Sequence, residues 1–284
     1  MPSVVYAEHD GVEIGLDYYL PPGNGKCPIL LWFHGGGLLM GSRKAAWSHL
    51  RNAPDKHGLC MVTADYRLAP QTRMPGIMRD ISACLAYLRS SAFASETGGR
   101  VDQSRVIVSG GSAGGWLALL LGSGVGFEAS GLEAPEPPLG VCAIYPITDI
   151  TAPFWTTPQH RAAVAEYLDP NAQETSWCPP DSPRMQMYSY MLQEAIEQDL
   201  VIGDCGVPAS AYSIAPGIVS SKFKLPPTYI VHGTQSEDVV RAADGAGLDV
   251  TFDVLTGIDH LYDKDPKYEM DNMYRWIWKL LQRA

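Results

Sequence analysis

A serine between glycines, a run of three glycines and a late histidine carry the chemistry this chain can offer. Gly110-Gly111-Ser112-Ala113-Gly114 fits G-x-S-x-G and follows the apolar Val106-Ile107-Val108 directly. The helix-like run Trp116-Leu117-Ala118-Leu119-Leu120-Leu121 comes next, giving the strand–turn–helix setting of a nucleophile elbow. Glycines flank the serine because so tight a turn leaves no room for side chains. The turn would present the Ser112 hydroxyl at the carboxyl edge of a sheet, with a helix N-terminus favouring a developing anion. A purely structural glycine–serine turn is the plainer alternative.

His34-Gly35-Gly36-Gly37 ends another apolar run. Backbone N–H groups of Gly35 and Gly36, with that of Ala113, would converge as an oxyanion hole for a tetrahedral intermediate. The alternative is a flexible hinge; a phosphate cradle fits less well, because no Lys-Ser/Thr follows the glycines. His34 is expected to orient the loop and not to act as a base. His260, in Gly257-Ile258-Asp259-His260-Leu261-Tyr262-Asp263, lies just past the last expected strand, where the order serine, acid, histidine would put a base. A solvated loop histidine is the competing reading, and His9, His49, His57 and His160 have no comparable setting.

The elements that must hold these residues alternate along the chain. Val4 to Leu20 reads as a hairpin about His9-Asp10-Gly11. Pro28 to Phe33 and Leu59 to Ala64 are continuous apolar runs, as strands covered on both faces require. Ala45 to His57 predicts a helix that Pro54 must kink or end. Ile77, Ile81, Cys84, Leu85 and Leu88 predict an amphipathic helix after Pro75. Further strands are expected at Arg105–Ser109, Val141–Tyr145, Thr228–Val231 and Val250–Leu255, with a closing helix over Met270–Leu281. The alternation implies an α/β fold, a mostly parallel sheet with helices on both faces.

Between Tyr145 and Thr228 lie roughly eighty residues, where a simple β-α-β step needs far fewer. Ser182-Pro183 opens an expected helix through Leu200, with Met187, Tyr188, Met191, Leu192, Ala195 and Ile196 on its apolar side. Residues 150–222 read as a helical cap inserted into a single globular core formed by 1–149 and 223–284.

Composition narrows the function. With 284 residues, 46% of them hydrophobic, the chain can bury one substantial core. The formal charge of −10 argues against nucleic acid or an anionic membrane as partner. No signal peptide or membrane-length apolar run is visible. The six cysteines contain no C-x-x-C pair and read as small buried hydrophobes of a reduced, cytoplasmic setting. The seven histidines show no metal-ligand clustering.

Together with the elbow and His34-Gly35-Gly36-Gly37, Asp65-Tyr66-Arg67-Leu68-Ala69-Pro70 resembles the hormone-sensitive-lipase-like family of esterases, and Tyr145-Pro146-Ile147-Thr148-Asp149 is similar to that family's pattern. The likeness runs from about Pro28 to the C-terminus and is weakest in the cap. It implies the α/β-hydrolase fold and a Ser-His-Asp ester hydrolase without cofactor, with a loop anchored by Arg67. Three positions depart from it. Gly111 stands where many members have aspartate. The segment before His34 is short, so the N-terminal cap helices of larger members are expected to be missing and the Ile150 to Lys222 insertion to take their place. Ser236, in His232-Gly233-Thr234-Gln235-Ser236-Glu237-Asp238, occupies the position where the pattern has the acid.

A serine supplies no charge to stabilise an imidazolium. Asp238 and Glu237 are the nearest substitutes, and Asp149 after the preceding strand is a third. Alternatively Ser236 caps a helix whose first turn holds Glu237 and Asp238, leaving a Ser-His dyad or an inactive site. The expected reaction is acyl transfer through an acyl-serine, with esterase, thioesterase, amidase and transacylase outcomes open. Phe154, Trp155, Tyr167, Trp177, Met185, Met187 and Tyr188 suggest a bulky apolar or aromatic small-molecule ester, or else pack the cap onto the body. The combination resembles small tailoring hydrolases of natural-product pathways. The competing classes are a hydrolase-fold binding protein and a non-hydrolytic cyclisation or condensation catalyst.

Overall fold

In the computed structural model, which describes residues 2–159, 183–220, 222–232, 236–258 and 260–284, the chain opens with the expected hairpin. Strands β1 (Ser3–His9) and β2 (Val12–Tyr19) pair antiparallel, and Asp10 and Gly11 take φ of 54° and 79° in the turn. Both central residues at positive φ match the right-handed twist of the flanking strands.

The remaining strands are β3 (Cys27–Phe33), β4 (Cys60–Ala64), β5 (Val101–Gly111), β6 (Gly140–Ile144), β7 (Thr228–His232) and β8 (Val250–Val254). They form one sheet in the order β1-β2-β4-β3-β5-β6-β7-β8. β2 meets β4 antiparallel, and every pairing from β4 to β8 is parallel. This is the mostly parallel α/β sheet expected from the alternation of elements.

Alternate side chains of the strands enter two different cores. Ile29, Leu31 and Phe33 of β3, Val106 and Val108 of β5 and Ala143 of β6 face one way. There they meet helix α3 (Met74–Leu88) and helix α5 (Ala113–Ser123). Leu30, Trp32, Ile107, Cys142 and Ile144 face the other way. They meet the short helices α1 (Ser48–Arg51) and α2 (Ala53–His57) and the C-terminal helix α11 (Asp271–Arg283). Every residue of α5 is buried, as suits a helix apolar on all sides. Helix α4 (Ser91–Glu96) closes the connection from α3 to β5.

Two expected helices are divided. The stretch from Ala45 to His57 breaks at Asn52, which ends α1, and Pro54 sits in the first turn of α2, where its missing N–H costs nothing. Between β6 and β7 lie α6 (Pro153–Thr156), α7 (Pro183–Glu194), α8 (Glu197–Val201) and α9 (Ile214–Val219). The single helix expected to run to Leu200 is interrupted because Ala195 takes φ of 56°, which no helix accommodates. Ser182, its expected cap, lies outside the described residues. Helix α10 (Glu237–Gly245) follows β7.

Buried polar contacts fix the loops. Arg67, 2% exposed, donates Nε and Nη2 to the Asp80 carboxylate of α3, each at 2.9 Å. Asp80 also accepts the Arg67 backbone N–H at 3.0 Å and lies 2.7 Å from His9 Nδ1. Arg67 Nη1 bonds Asp10 in the hairpin turn. Thus Arg67 anchors its loop, as the resemblance implied, and ties it to both α3 and the first hairpin. Arg184 of α7, also buried, donates 2.8 Å bonds to the carbonyls of Leu39 and Ala69 and a 2.7 Å bond to Gln71 Oε1. Helix α7 is thereby fastened to the loops that follow β3 and β4.

Glu197 of α8 is a carboxyl group enclosed without a partner. Its side chain is fully buried and neither carboxyl oxygen has a hydrogen-bond partner. Burial pushes its pKa from 4.5 up to about 8. The folded protein therefore keeps a proton that the unfolded chain releases, so stability falls as pH rises from about 4.5 and levels off above about 8. Glu197→Gln is expected to raise the unfolding free energy at pH 8 by on the order of 3–5 kcal/mol, with little change near pH 4.5. Urea denaturation at the two pH values measures this; equal effects at both would contradict the assignment.

Candidate functional site

Ser112 sits between β5 and α5 with φ of 56° and ψ of −121°, a conformation rare for any residue with a side chain. Surrounding bonds hold it there: its N–H donates to Ile144 O at 2.9 Å, and its carbonyl accepts from Trp116 N at 3.0 Å. The flanking glycines are sterically required. A Cβ on Gly110 would lie 2.2 Å from Gly114 O, and one on Gly114 would lie 2.0 Å from Phe33 O. This elbow has the form the sequence predicted, with the Ser112 side chain largely buried.

The glycine loop passes directly beside it. A Cβ on Gly35 would be 3.2 Å from Ser112 Cβ and 2.8 Å from Gly111 O. Gly36 takes φ of 107°, open to glycine alone, and its carbonyl accepts from Leu39 and Met40. Among the described residues, neither Gly35 nor Gly36 N–H has a backbone acceptor outside the regular ladders. Ala113 opens α5 immediately after Ser112. Gly35, Gly36 and Ala113 are thus brought together around the serine.

His34 does the orienting expected of it. Its ring stacks on Tyr66 at 4.3 Å, and its Nδ1 lies 2.8 Å from the Gly35 carbonyl. The Tyr66 hydroxyl donates to His34 O at 2.8 Å. Burial pushes the His34 pKa down to about 4, so the ring is neutral at ordinary pH and unsuited to proton exchange.

His260 reaches the site from the loop after β8. Tyr145 connects the two halves: its ring lies 4.6 Å from that of His260, and its hydroxyl would be 3.1 Å from a Cβ on Gly111. The second contact gives a steric reason for glycine where many resembling sequences carry aspartate. His260 keeps a solvent-exposed edge. Desolvation by the protein packed around the rest of the ring lowers its pKa, and the charge of Asp263 opposes that shift. Among the described residues no hydrogen bond joins Ser112 Oγ to His260.

The three candidate acids are engaged elsewhere. Both oxygens of Asp238 lie 3.4 Å from Thr148 Oγ1, and burial raises its pKa. Glu237 pairs with Arg241 at 3.2 Å. Partial burial would raise the Asp149 pKa, but bonds from Ser213 Oγ and Thr151 Oγ1, both 2.6 Å, and from Thr151 N bring it below its ordinary value. None of the three hydrogen-bonds His260 in the described residues. Ser236 occupies the N-cap position of α10 without capping it; its Oγ lies 2.6 Å from His232 Nδ1 instead. His232 is held neutral, its pKa about 4, by desolvation and by the neighbouring His260.

Residues expected to line the substrate site take different positions. Phe154 and Trp155 lie on α6 with rings 4.6 Å apart, Phe154 being 49% exposed. Met185 is exposed on α7, whereas Met187 is buried in the larger core. Tyr188 packs on the glycine loop, where a Cβ on Gly37 would meet its ring at 2.7 Å. Tyr167 and Trp177 lie outside the described residues. No group of three or more candidate metal ligands occurs among the described residues, and none of their helices is long and apolar enough to cross a membrane.

The sequence reading passed over Asp263, Tyr145 and His49. Asp263 is buried, accepts the Tyr145 hydroxyl on Oδ1 and lies 3.2 Å from His49 Nε2 through Oδ2. Asp263 follows His260 by three residues and was visible, but nothing local announced that His49 and Tyr145 would meet it.

Comparison with known proteins places the fold. A protein family described as alpha/beta hydrolase fold matches residues 30–263. Non-reducing polyketide synthase ausA of Aspergillus calidoustus is 29% identical over 92% of the chain, which spans about 13% of that relative's length. Among solved structures, a protein of unknown function from Staphylococcus aureus superposes with a TM-score of 0.72 at 19% identity, covering 100% of this chain and 99% of its own. A fungal esterase structure from Rhizomucor miehei gives a TM-score of 0.70 at 18% identity over 99% of this chain and 84% of its own.

The elbow's tolerance is directly testable. Gly114→Ala forces its Cβ against Phe33 O and is expected to lower unfolding free energy by roughly 2–4 kcal/mol. Urea denaturation would read this, and a wild-type value would show that the elbow relaxes without cost.

Proposed function

We propose that this chain, which belongs to the α/β-hydrolase family matched over residues 30–263, is a serine hydrolase that cleaves a carboxylic ester or thioester of a bulky apolar or aromatic acyl group in a natural-product pathway. The observation that carries this reading is the elbow pressed against the glycine loop, with the Gly35 backbone beside Ser112 Cβ. Ser112 Oγ attacks the acyl carbon while His260 takes its proton. The N–H groups of Gly35, Gly36 and Ala113 receive the oxyanion, where fixed donors are worth most because they need not reorganise. Collapse of the tetrahedral intermediate expels the leaving oxygen or sulfur, which takes the proton from His260. Water, deprotonated by the same histidine, then releases the acid and restores Ser112.

The polyketide synthase relative supports an acyl chain of polyketide type, and the esterase likeness of fold supports hydrolysis. Phe154, Trp155, Trp177, Met187 and Tyr188, within a cap of residues 150–222, are the side chains proposed to meet that acyl group. The hydrolase-fold binding protein is the second reading, favoured by the lack of a hydrogen-bonded carboxylate at His260 among the described residues.

A fluorophosphonate probe followed by intact-mass measurement separates them. One adduct per chain is expected, lost in Ser112→Ala and slowed by roughly 10²-fold or more in His260→Gln. No wild-type adduct over hours would remove the hydrolase reading and leave the binding protein.

A further inference from the structure

In the proposed reaction the leaving oxygen or sulfur takes its proton from His260, so the group attached to that atom must run past the histidine. His260 is exposed on the loop after β8. An open cavity of about 550 Å³ borders it, with Leu261, Tyr262, Lys264, Lys267 and Tyr268 among its other walls. None of these five side chains takes part in the acyl-transfer steps.

Packing onto the body fixes the aromatic part of the wall. The Tyr262 ring stands edge-on to that of Tyr145 at 5.8 Å and to that of Tyr268 at 5.1 Å, and the Tyr145 ring lies 4.6 Å from that of His260. Two ammonium groups line the same space. Lys267 sits 2.9 Å from Asp265 and 4.9 Å from the centre of the Tyr268 ring, so a carboxylate already matches its charge. Lys264 instead lies over the ring of Trp47, which precedes α1, at 5.7 Å. An aromatic face holds a cation in place without neutralising it. Among the described residues no carboxylate comes within ion-pair distance of Lys264. The protein as a whole carries a formal charge of −10, which repels anions at long range. An uncompensated ammonium beside the base runs against that field.

We propose that this cavity is the leaving-group subsite, and that Lys264 selects acyl donors whose leaving group carries a negative charge, a phosphate or a carboxylate, over neutral ones. This rests on the acyl-transfer reading. The substituent on the departing oxygen or sulfur lies along the exposed face of His260, its apolar part against Leu261 and the Tyr262 and Tyr268 rings and its charge at Lys264. Lysine suits both anions, because its ammonium acts as a point charge on a flexible stem and demands no bidentate geometry. Lys264 makes and breaks no bond. It stabilises the bound anion, and so raises kcat/KM for charged donors relative to a neutral donor of the same acyl group.

The test uses the phenolic benzoates of tyrosol, of tyrosol alkyl phosphate and of para-hydroxyphenylpropionic acid, which share an acyl group and differ beyond the leaving phenol. The readout is kcat/KM of each charged ester divided by that of the neutral one. Lys264→Gln is expected to lower this ratio by roughly 2–5-fold for the carboxylate, the size of a solvent-exposed charge pair, and by more for the phosphate. Lys264→Arg keeps it. Lys26→Gln makes the same change in net charge at the opposite end of β3 from the glycine loop, and leaves the ratio where it was. In the wild type, raising salt from about 10 mM to about 1 M shortens the screening length from roughly 30 Å to 3 Å and brings the ratio toward the Lys264→Gln value. This arm needs no variant to fold. A Lys264-dependent preference confined to the phosphate ester identifies a phosphorylated leaving group; one shared by the carboxylate ester identifies an anion of either kind. A ratio unchanged in Lys264→Gln, lowered equally in Lys26→Gln, or indifferent to salt overturns the proposal. If the wild-type protein cleaves none of the three esters, the hydrolase reading and this inference fall together, an outcome distinct from a cleaving wild type with an indifferent Lys264.

Discussion

Main chain touches main chain where β3 ends and α5 begins. Gly114 approaches the Phe33 carbonyl, Gly35 approaches the Gly111 carbonyl, and neither glycine has space for a Cβ. Because close-packed interiors leave little slack, the rest of the site is arranged around this crossing. Helix α5 must run straight into the core, and all its residues are buried. The chain leaving β3 must turn at once, which it does through Gly36 and Gly37 at positive φ. His34 is turned aside onto Tyr66, a residue of the loop that Arg67 and Asp80 clamp to α3. The serine's unusual backbone is the local result of a contact between two strands' extensions.

The regular framework could be read from residue types because its signals are local. β3 shows an unbroken apolar run since both its faces are covered, and the hairpin shows Asp-Gly because both turn residues need positive φ. The elbow was equally legible, as a glycine is demanded at each end. What escaped the sequence depends on partners far along the chain. Ala195 adopts positive φ within a stretch whose side-chain pattern is helical throughout, so tertiary packing overrides propensity there. Arg184 looks like an ordinary surface cation until its bonds to the Leu39 and Ala69 carbonyls are seen. His49 and Asp263 lie at opposite ends of the chain, and no spacing rule links them. The carboxylates that follow position 236 bond Thr148 and Arg241, and no spacing along the chain announces the first of those partners.

The site also lies where the two cores meet. Ala113 and Leu38 belong to the core beneath α3 and α5, whereas Tyr145 belongs to the one beneath α11. Tyr145 takes φ of 37° directly after β6, breaking the alternation that would otherwise assign its side chain. This one reversal sets the phenol between Gly111, His260 and Asp263. His232, at the end of β7, is the other titratable ring beside His260, and burial lowers the pKa of both.

Arg184 gives the helices between β6 and β7 a fixed point. Its guanidinium grips two carbonyls and an amide oxygen of the body, so α7 is bolted to the loops it covers, and Tyr188 and Met191 on the same helix rest against Gly37. One side chain therefore couples a helix inserted between β6 and β7 to the two turns that leave β3 and β4, so a change in either turn is felt by α7 through a single guanidinium.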